Sequence, residues 1–563
     1  MKEWLRETHG PAFELLRHFL RRLLDSDIAT SPGQMSGVLI GTVPVVFQWF
    51  FLLIGPLRAK YAYLNHLPVP GPYREAVRAD ELCLITLMMS AIGLLTAIKW
   101  QSLFPSLLDC RALGSLPLRP RQIFGAKLAA LLLVAAAALA TLNFLPAMAF
   151  PALSSGHWAI HASLGARTLA HTGASLAASA FFFFGLVALQ GVLLNLLRPR
   201  AFGRATVYLQ GSLIGIMLGL IVLSFSIQPQ ITHVVVQPEW ARWLPPVWFL
   251  GLYQTLAGDP DPAMRALAHW AEASLAIAVV LAFSTYLVSY RHHRTLLMEG
   301  ISGQWTHKRS GGKLLEYLSP DPRQQAVVGF MMRTLARSRH HRMVLMGYAG
   351  LGFALLLTGL TGDAGSVEPS RAAAAGFVYY HILAIVFLVI GARHLFSLPT
   401  ELKANWIFRI TEGEGRAAWL TAVDRFALFW SAAVMLAIPL PLEIRLLGWR
   451  GVAEAALLLA TGILCFEWAF SGWEKLPFTC SHLPVGAPLW MVVGFLGLIE
   501  AVIQLHAFLL AALYHRAVFL VVLAALLGTW MRFHRNRRQG WAELRIKYDD
   551  GPEPEIHGLN LMK

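Results

Sequence analysis

The sequence predicts an all-α protein that crosses a membrane about twelve times. Of its 563 residues, 56% are hydrophobic and only 14% are charged, whereas soluble domains are about 25% charged. The apolar residues are gathered in runs of about twenty, which is the length that crosses a bilayer as a helix. The mean hydropathy is +0.55. These observations exclude a soluble enzyme.

The predicted spans are the longest apolar runs of the chain. In chain order they are residues 37–56, 80–100, 127–150, 172–196, 206–228, 269–290, 343–361, 374–395, 418–441, 452–472, 487–509 and 513–531. The segment between the sixth and seventh spans is long and polar, so it is predicted to be a cytoplasmic linker between two halves. The predicted organisation is therefore 1–36, an interfacial helix; 37–290, a first six-span unit; 291–342, the linker with an interfacial segment; 343–531, a second six-span unit; and 532–563, a cytoplasmic tail.

A basic amphipathic helix is predicted before the first span. Within Pro11–Asp25, apolar side chains such as Phe13 and Phe19 share one side, and charged side chains such as Arg17 and Arg21 share the other. A helix with this pattern lies in the plane of a membrane surface. The segment is therefore expected to rest on the cytoplasmic face of the membrane.

The net charge of +15 is explained by the positive-inside rule, without nucleic acid as a partner. When the N-terminus is assigned to the cytoplasm, most basic residues fall in cytoplasmic loops, in the linker and in the C-terminal tail. The predicted outer loop 57–79 departs from this bias, because it carries four basic residues: Arg58, Lys60, Arg74 and Arg78. The total favours a multi-pass protein of a lipid bilayer with both termini in the cytoplasm.

A short segment is repeated in the two halves. LFPSLLDCRALGSLPL, from Leu103, follows the second predicted span, and LFSLPTELKANWIFRI, from Leu395, follows the eighth. The two align without gaps at an offset of 292 positions, which pairs acid with acid and base with base. Each half also begins with a basic, partly apolar stretch before its first span. The chain is therefore predicted to contain two parallel copies of a six-span unit.

The first segment, continued as GSLPLRPRQIFGAKL, resembles the ABC-2 type permeases of ABC transporters. The resemblance implies a bacterial cytoplasmic (inner) membrane and a loop after the second span that forms a coupling helix, which docks on an ATP-binding subunit. Carried over to this sequence, the coupling residues are Asp109, Arg111, Arg119 and Arg121 in the first half and Glu401, Lys403 and Arg409 in the second. A pair of such segments suits two copies of the ATPase.

The chain lacks its own phosphate-binding loop. ATP hydrolysis needs a glycine-rich loop that ends in Lys and Ser or Thr, and no G-x-x-x-x-G-K-[ST] motif occurs. ATP and magnesium are therefore expected on the partner ATPase, no cofactor is expected in this chain, and the chain is not expected to be an enzyme by itself.

Other reactive groups are sparse in the sequence. Glu500 and Gln504 are four residues apart, so they share one helix face and are candidates for a substrate path. A polar contact between packed helices, or a position near the outer surface, is the alternative interpretation of Glu500 and of the nearby His506. Cys480 and His482 alone do not make a zinc site, and the scattered His171, His381 and His394 show no haem-type pairing. No metal site is therefore predicted.

Three functional hypotheses remain. The first is a permease that exports a hydrophobic or amphipathic substrate with ATPases supplied by other chains. The second is a twelve-span secondary transporter, which needs coupling-ion carboxylates inside the bundle. The third is a membrane-embedded enzyme or assembly scaffold, which needs a convergent acid, base or metal cluster.

Overall fold

The computed structural model describes most of the predicted helices. The described residues are 2–24, 54–104, 113, 119–159, 163–226, 242–258, 261–296, 321–361, 369–400, 406–411, 416–437, 440–471, 473, 475–479, 504–506, 508–509, 511–541 and 546. All regular secondary structure in these residues is helical, which confirms the all-α prediction. The chain divides into two compact units, Met1–Gln304 and Trp305–Lys563, and each is described by itself.

Eight longer helices are described in the first unit, besides short 3₁₀ turns. They are α1 Lys2–Leu24, α2 at residues 54–65, α3 Gly71–Ile98, α4 Pro120–Leu153, α5 Leu164–Leu196, α6 Pro199–Ser226, α7 Pro245–Leu256 and α8 Pro262–Leu296. The described helices of the second unit include α9 Pro322–Arg337, α10 Arg339–Thr361, α11 Pro369–Ser397, α12 Trp406–Thr411, α13 Arg416–Ala437, α14 Leu440–Leu447, α15 Trp449–Ala469 and α16 Arg516–Gly540.

Nine helices in the described part of the chain are long and apolar enough to cross a membrane. They are Gly71–Ile98, Arg121–Leu153, Leu164–Leu196, Ala201–Val222, Pro262–Ser289, His340–Gly359, Val378–Ser397, Trp449–Ala469 and Arg516–Gly540. Each coincides with a predicted span, so the chain is a multi-pass helical membrane protein in contact with lipid. The predicted spans 37–56 and 487–509 lie mostly outside the described residues. The predicted span 418–441 is largely covered by α13, which is not among the nine.

The amphipathic helix α1 is present, and its apolar side packs against protein. Leu15, Phe19 and Leu23 are buried in one cluster with residues of α4 such as Ile123 and Leu131. The charged side of the same helix is turned outward, with Glu14 and Arg21 among its exposed residues. The amphipathic pattern is therefore used, in part, to attach α1 to the first half of α4.

The centre of the first unit is formed by α3 and α5. Helix α3 packs against α5, α6 and α7, and α5 packs against α8. The Gln210 side chain of α6 donates to the Ala97 carbonyl oxygen of α3 at 2.8 Å, which ties the two helices near the end of α3. The short helix α7 lies against α3, α5 and α8, so it closes one end of this bundle.

Gly251 allows α7 to approach α8 closely. A Cβ atom at this position would lie 2.8 Å from the Met264 carbonyl oxygen and 3.1 Å from the Ala268 nitrogen. Both are backbone atoms, so no side-chain rotation can relieve the contact. We expect Gly251→Ala to destabilise the protein by about 1–3 kcal/mol through overpacking.

Thermal unfolding of the purified protein in detergent measures this effect. Gly185→Ala in α5 is the matched control, because a Cβ there would meet nothing within 4 Å. The control is expected to be neutral or to stabilise by up to about 1 kcal/mol, since alanine favours the helix. Equal melting temperatures of the two variants would contradict the proposed contact.

The second unit has a core of its own. Helix α9 contributes Val328 and Met331, which pack on α13, and α11 contributes Ile382 and Ile385. Helix α11 packs against α10 and α15, and α15 packs against α13 and α16. The short helix α14 folds back against α15 and also contacts α11.

Candidate functional site

Five of the nine predicted site residues lie outside the part of the chain that the structure describes. They are Asp109, Arg111, Glu401, Lys403 and Glu500. Arg409 lies in α12, and Gln504 is exposed in a short apolar helix, Gln504–Tyr514. The predicted coupling and substrate-path roles therefore stay predictions.

Arg119 and Arg121 are described, and both are exposed at the beginning of α4. The helix begins there because Pro120 occupies its first turn, where the absent N–H leaves no hydrogen bond unmade. The Gln122 side chain accepts a hydrogen bond from the Arg119 N–H at 2.9 Å, which caps this end. Two guanidinium groups are thus available at one end of the predicted third span.

Buried ionisable groups are the main feature that the structure adds. In the first unit, Asp80 on α3 is buried, and both of its carboxylate oxygens accept hydrogen bonds from the Lys60 ammonium group, at 2.8 and 2.9 Å. The Tyr61 hydroxyl donates to Asp80 at 2.7 Å. Tyr61 follows the predicted span 37–56. Burial first, and then the Asp80 carboxylate, raise the pKa of Tyr61 well above its usual range, so the hydroxyl remains a donor.

The next residue, Glu81, points to a different helix. Its two carboxylate oxygens lie 2.9 and 2.8 Å from Nδ1 of His171 on α5, and both side chains are fully buried. An ionised carboxylate only accepts hydrogen bonds, so Nδ1 of His171 carries the shared proton in that state. Among the described residues, Nε2 of His171 has no hydrogen-bond partner. The pair joins the second and fourth predicted spans.

A cleft with basic side chains lies at this end of the first unit. Its volume is about 430 Å³ including space open to solvent, and its lining includes Arg74, Arg78, Arg167 and Trp158. Arg167 is held in place because its guanidinium donates to the Ser154 carbonyl oxygen at 3.3 Å.

In the second unit, one histidine and two glutamates converge. His381 on α11, Glu443 on α14 and Glu454 on α15 are 2%, 1% and 1% exposed. Each offers one ligand atom, and these three atoms lie within 4.8 Å of one another. Nδ1 of His381 is 2.9 Å from Oε1 of Glu443. This cluster again joins the second and fourth predicted spans of its unit.

A second buried cluster lies at the end of α16. Arg537 contacts the Asp424 carboxylate of α13, and its Nε is 3.0 Å from the Glu467 carboxylate of α15. Nδ1 of His534 is 2.6 Å from the other Glu467 oxygen. One arginine therefore ties three helices together through two carboxylates.

An apolar cleft of about 690 Å³, again including open space, lies between α1, α3, α4 and α5. Its lining is almost entirely aliphatic, with Leu23, Ile92, Leu131 and Leu139 as examples, and it reaches Leu103. Leu103 is the first residue of the repeated segment. The cleft is therefore an apolar surface of the first unit next to the start of that segment.

The buried pairs were not predicted, because their members are far apart in the sequence. Glu81 and His171 are 90 positions apart, and no local spacing connects them. One signal was available: ionisable residues inside long apolar runs are costly and mark sites by default. Asp80 and Glu81 begin one predicted span, and His171 and His381 adjoin or lie within two others.

Comparisons with protein families, with curated proteins and with solved structures find no match to this chain. The described residues establish a multi-pass helical membrane protein, a class that is consistent with a transporter.

Proposed function

We propose that this chain is the membrane-spanning permease of an ATP-driven ABC transporter of the ABC-2 type, and that it consists of two six-span units. The proposed substrate is hydrophobic or amphipathic, its direction is export, and separate ATPase subunits hydrolyse the ATP. The observation that carries the proposal is that the same pairs of corresponding helices pack together within each of the two units.

The correspondence extends over five helices of each unit. An amphipathic helix before the first predicted span packs on the third span, as α1 on α4 and as α9 on α13. The second span packs on the fourth, as α3 on α5 and as α11 on α15. The fourth packs on the last, as α5 on α8 and as α15 on α16. An internal duplication in parallel orientation accounts for this agreement.

The start of the repeated segment also occupies equivalent positions. Leu103 and Phe104 are buried in the core of the first unit, and Leu395 and Phe396 are buried in that of the second. These are the pairs that the 292-position offset aligns. Each segment is therefore anchored at its first two residues, just before the residues assigned to coupling.

The anchors support a mechanical role for the segments. The Phe104 ring is 5.1 Å from the Tyr286 ring of α8, and the Phe396 ring is 5.9 Å from the Phe470 ring that follows α15. In the second unit, the Phe478 N–H also donates to the Phe396 carbonyl oxygen at 2.9 Å. A push on either segment by a closing ATPase would pass through these rings to the spans, which is what alternating access requires.

Charge reversal of both coupling segments tests the proposal. We expect Asp109→Arg combined with Glu401→Arg to abolish co-purification of the ATP-binding subunit and the ATPase activity that accompanies it, because each substitution replaces an attraction with a repulsion. The measurement is ATPase activity of the complex reconstituted in lipid vesicles.

The matched control reverses two exposed acids elsewhere, Glu75→Arg with Glu272→Arg. This variant is expected to retain the complex, since its charges lie at the opposite ends of their spans. If the Asp109 and Glu401 double variant keeps both the complex and its ATPase activity, the coupling assignment is wrong.

A second candidate function is a secondary transporter driven by an ion gradient. The observation in its favour is that both units bury carboxylates beside a histidine. Glu81 pairs with His171 in the first unit, and Glu443 of α14 and Glu454 of α15 converge on His381 in the second. Such groups are the proton or ion relays of gradient-driven transporters. Substrate uptake into vesicles under an imposed ion gradient, with no ATPase and no ATP present, would favour this function over the first.

A further inference from the structure

We propose that His381, Glu443 and Glu454 bind a divalent first-row metal ion in the second unit. The proposal does not depend on whether the chain is an ATP-driven permease. It rests on the geometry, the burial and the charge balance of these three side chains, and on two glycines that bring them together.

The geometry is close to that of a metal site. Tetrahedral zinc ligands lie about 2.0–2.2 Å from the ion, which puts neighbouring ligand atoms about 3.3 Å apart. Here the three ligand atoms are within 4.8 Å of one another, and the closest pair, Nδ1 of His381 and Oε1 of Glu443, is at 2.9 Å. Side-chain adjustments of an ångström or so would complete the coordination.

The charge balance calls for a cation. Glu443 and Glu454 are buried, and His381 is their ionic partner among the described residues, with Nδ1 at 2.9 Å from Oε1 of Glu443. None of the four carboxylate oxygens accepts a well-directed hydrogen bond from a described residue. Burying ionised carboxylates without compensation is strongly unfavourable. A protonated His381 could neutralise one of them, whereas a divalent ion neutralises both.

The first unit balances the charges of its buried acids differently. Its two buried acids on α3 each have a separate partner, Lys60 for Asp80 and His171 for Glu81. In the second unit, two acids converge on one histidine. Among the described side chains, the arrangement at His381 is therefore one cationic group short of the balance that the first unit achieves.

The backbone is built to place Glu443 over Glu454. Gly448 joins α14 to α15 with φ of 59°, a conformation that other residues rarely adopt. A Cβ at Gly451 would lie 2.5 Å from both the carbonyl carbon and the carbonyl oxygen of Glu443. The turn and the close approach together fold α14 back onto α15, so Glu443 reaches a site that α15 and α11 share.

The site lies near the end of its candidate spans. His381 is three residues into Val378–Ser397, and Glu454 is five residues into Trp449–Ala469. At 1.5 Å per residue, these positions are about 5 and 8 Å from the beginnings of the spans. An ion can therefore enter from one side of the membrane without crossing the hydrocarbon core.

One imidazole and two carboxylates suit zinc, manganese, iron or cobalt in the divalent state. Three protein ligands leave at least one position open for water or a further group. The bound ion would also link α11, α14 and α15, and it would thereby fix the end of the second and fourth predicted spans of this unit.

Metal analysis of the purified full chain tests the proposal. Protein purified in detergent without chelators is expected to carry close to one divalent ion per chain, as measured by elemental mass spectrometry. After treatment with chelator, titration with Co²⁺ is expected to produce the visible absorption bands of a low-symmetry cobalt site. Glu443→Gln with Glu454→Gln is expected to weaken Co²⁺ and Zn²⁺ binding by about 100-fold or more.

Two further variants separate metal loss from misfolding. Glu81→Gln makes the same change in a buried, histidine-paired glutamate of the first unit, and it is expected to keep the metal. Gly451→Ala removes no ligand, yet it is expected to lose the metal, because its Cβ displaces Glu443. Zn²⁺ is expected to raise the melting temperature of the chelator-treated wild type and to leave that of Gly451→Ala unchanged.

The proposal fails if the wild-type protein retains no metal and Zn²⁺ does not change its melting temperature. It also fails if the Glu443 and Glu454 double variant binds Co²⁺ as tightly as the wild type. In a metal-free protein, an infrared band of a protonated carboxyl group that disappears in Glu454→Gln would assign the cluster to proton sharing instead.

Discussion

Replacing Arg537 with methionine is expected to lower the stability of the protein by about 3–5 kcal/mol, the cost of breaking a buried ion pair by removing one partner. The substitution leaves the Asp424 carboxylate without its arginine and takes one of two partners from Glu467. Both acids remain buried. Methionine preserves much of the apolar stem but removes the guanidinium group, whose central carbon lies 5.7 Å from the centroid of the Phe466 ring and 5.3 Å from that of Trp541.

The effect is measured as the melting temperature of the detergent-purified chain. Arg535→Met is the matched control, because Arg535 lies on the same helix and is exposed. The control is expected to change stability by less than about 1 kcal/mol. Adding Asp424→Asn and Glu467→Gln to Arg537→Met should recover much of the loss, since the uncompensated charges are then gone. An Arg537→Met protein as stable as the control would mean that this cluster does not hold α13, α15 and α16 together.

Replacing His171 with leucine is expected to have a comparable cost, about 3–5 kcal/mol, because Glu81 is then left fully buried without its partner. Glu81→Gln is expected to cost much less, about 1 kcal/mol, since the amide oxygen still accepts a hydrogen bond from Nδ1 of His171. Glu81→Met combined with His171→Leu removes both polar groups, and it is expected to be more stable than His171→Leu alone.

With the single variant Glu81→Met added, the wild type, His171→Leu and the double variant complete a double-mutant cycle, and its coupling energy measures the pair directly. Thermal unfolding in detergent is again the measurement, and His269→Leu is the control, because His269 is exposed on α8. If His171→Leu and the double variant have the same melting temperature, removing the histidine does not strand a buried charge. The pair would then not contribute to the packing of α3 against α5.

The two units balance their buried charges differently. In the first, Lys60 and His171 each serve one acid, and in the second, Arg537 serves two acids while His381 faces two more. The His381 cluster is the one in which the described side chains leave carboxylate oxygens without hydrogen bonds on both acids. This difference is why a metal ion is proposed there and not at Glu81.

The sequence predicted the membrane spans well, because hydrophobicity over twenty residues is a local property. Nine predicted spans coincide with candidate spans of the structure. Several helices of the first unit are longer than the apolar runs that predicted them. Helix α3 begins at Gly71 rather than near residue 80, since a helix continues through exposed charged residues such as Arg74 and Glu75 when its backbone hydrogen bonds are unbroken.

One connection was not predicted. The residues between the predicted spans 418–441 and 452–472 form the short helix α14, which turns back on α15. Its second residue is Pro441, which is tolerated in the first turn of a helix. Eight residues that mix leucines with Glu443 and Arg445 are too few for a periodicity to identify, and their conformation depends on Gly448 and Gly451.

By itself, the sequence determined the class of this protein: an all-helical, multi-pass membrane protein with a basic amphipathic helix before its first span. Hydropathy, charge bias and helical periodicity depend on residues that are close together in the sequence, so they can be obtained from the sequence without the structure. Only the tertiary structure decided which buried acids meet which bases. His171 meets Glu81, and His381 meets Glu443 and Glu454, because packed helices bring together single side chains from distant turns. A contact of that kind depends on how each helix is rotated about its axis and shifted along it, and no local sequence pattern determines these two quantities.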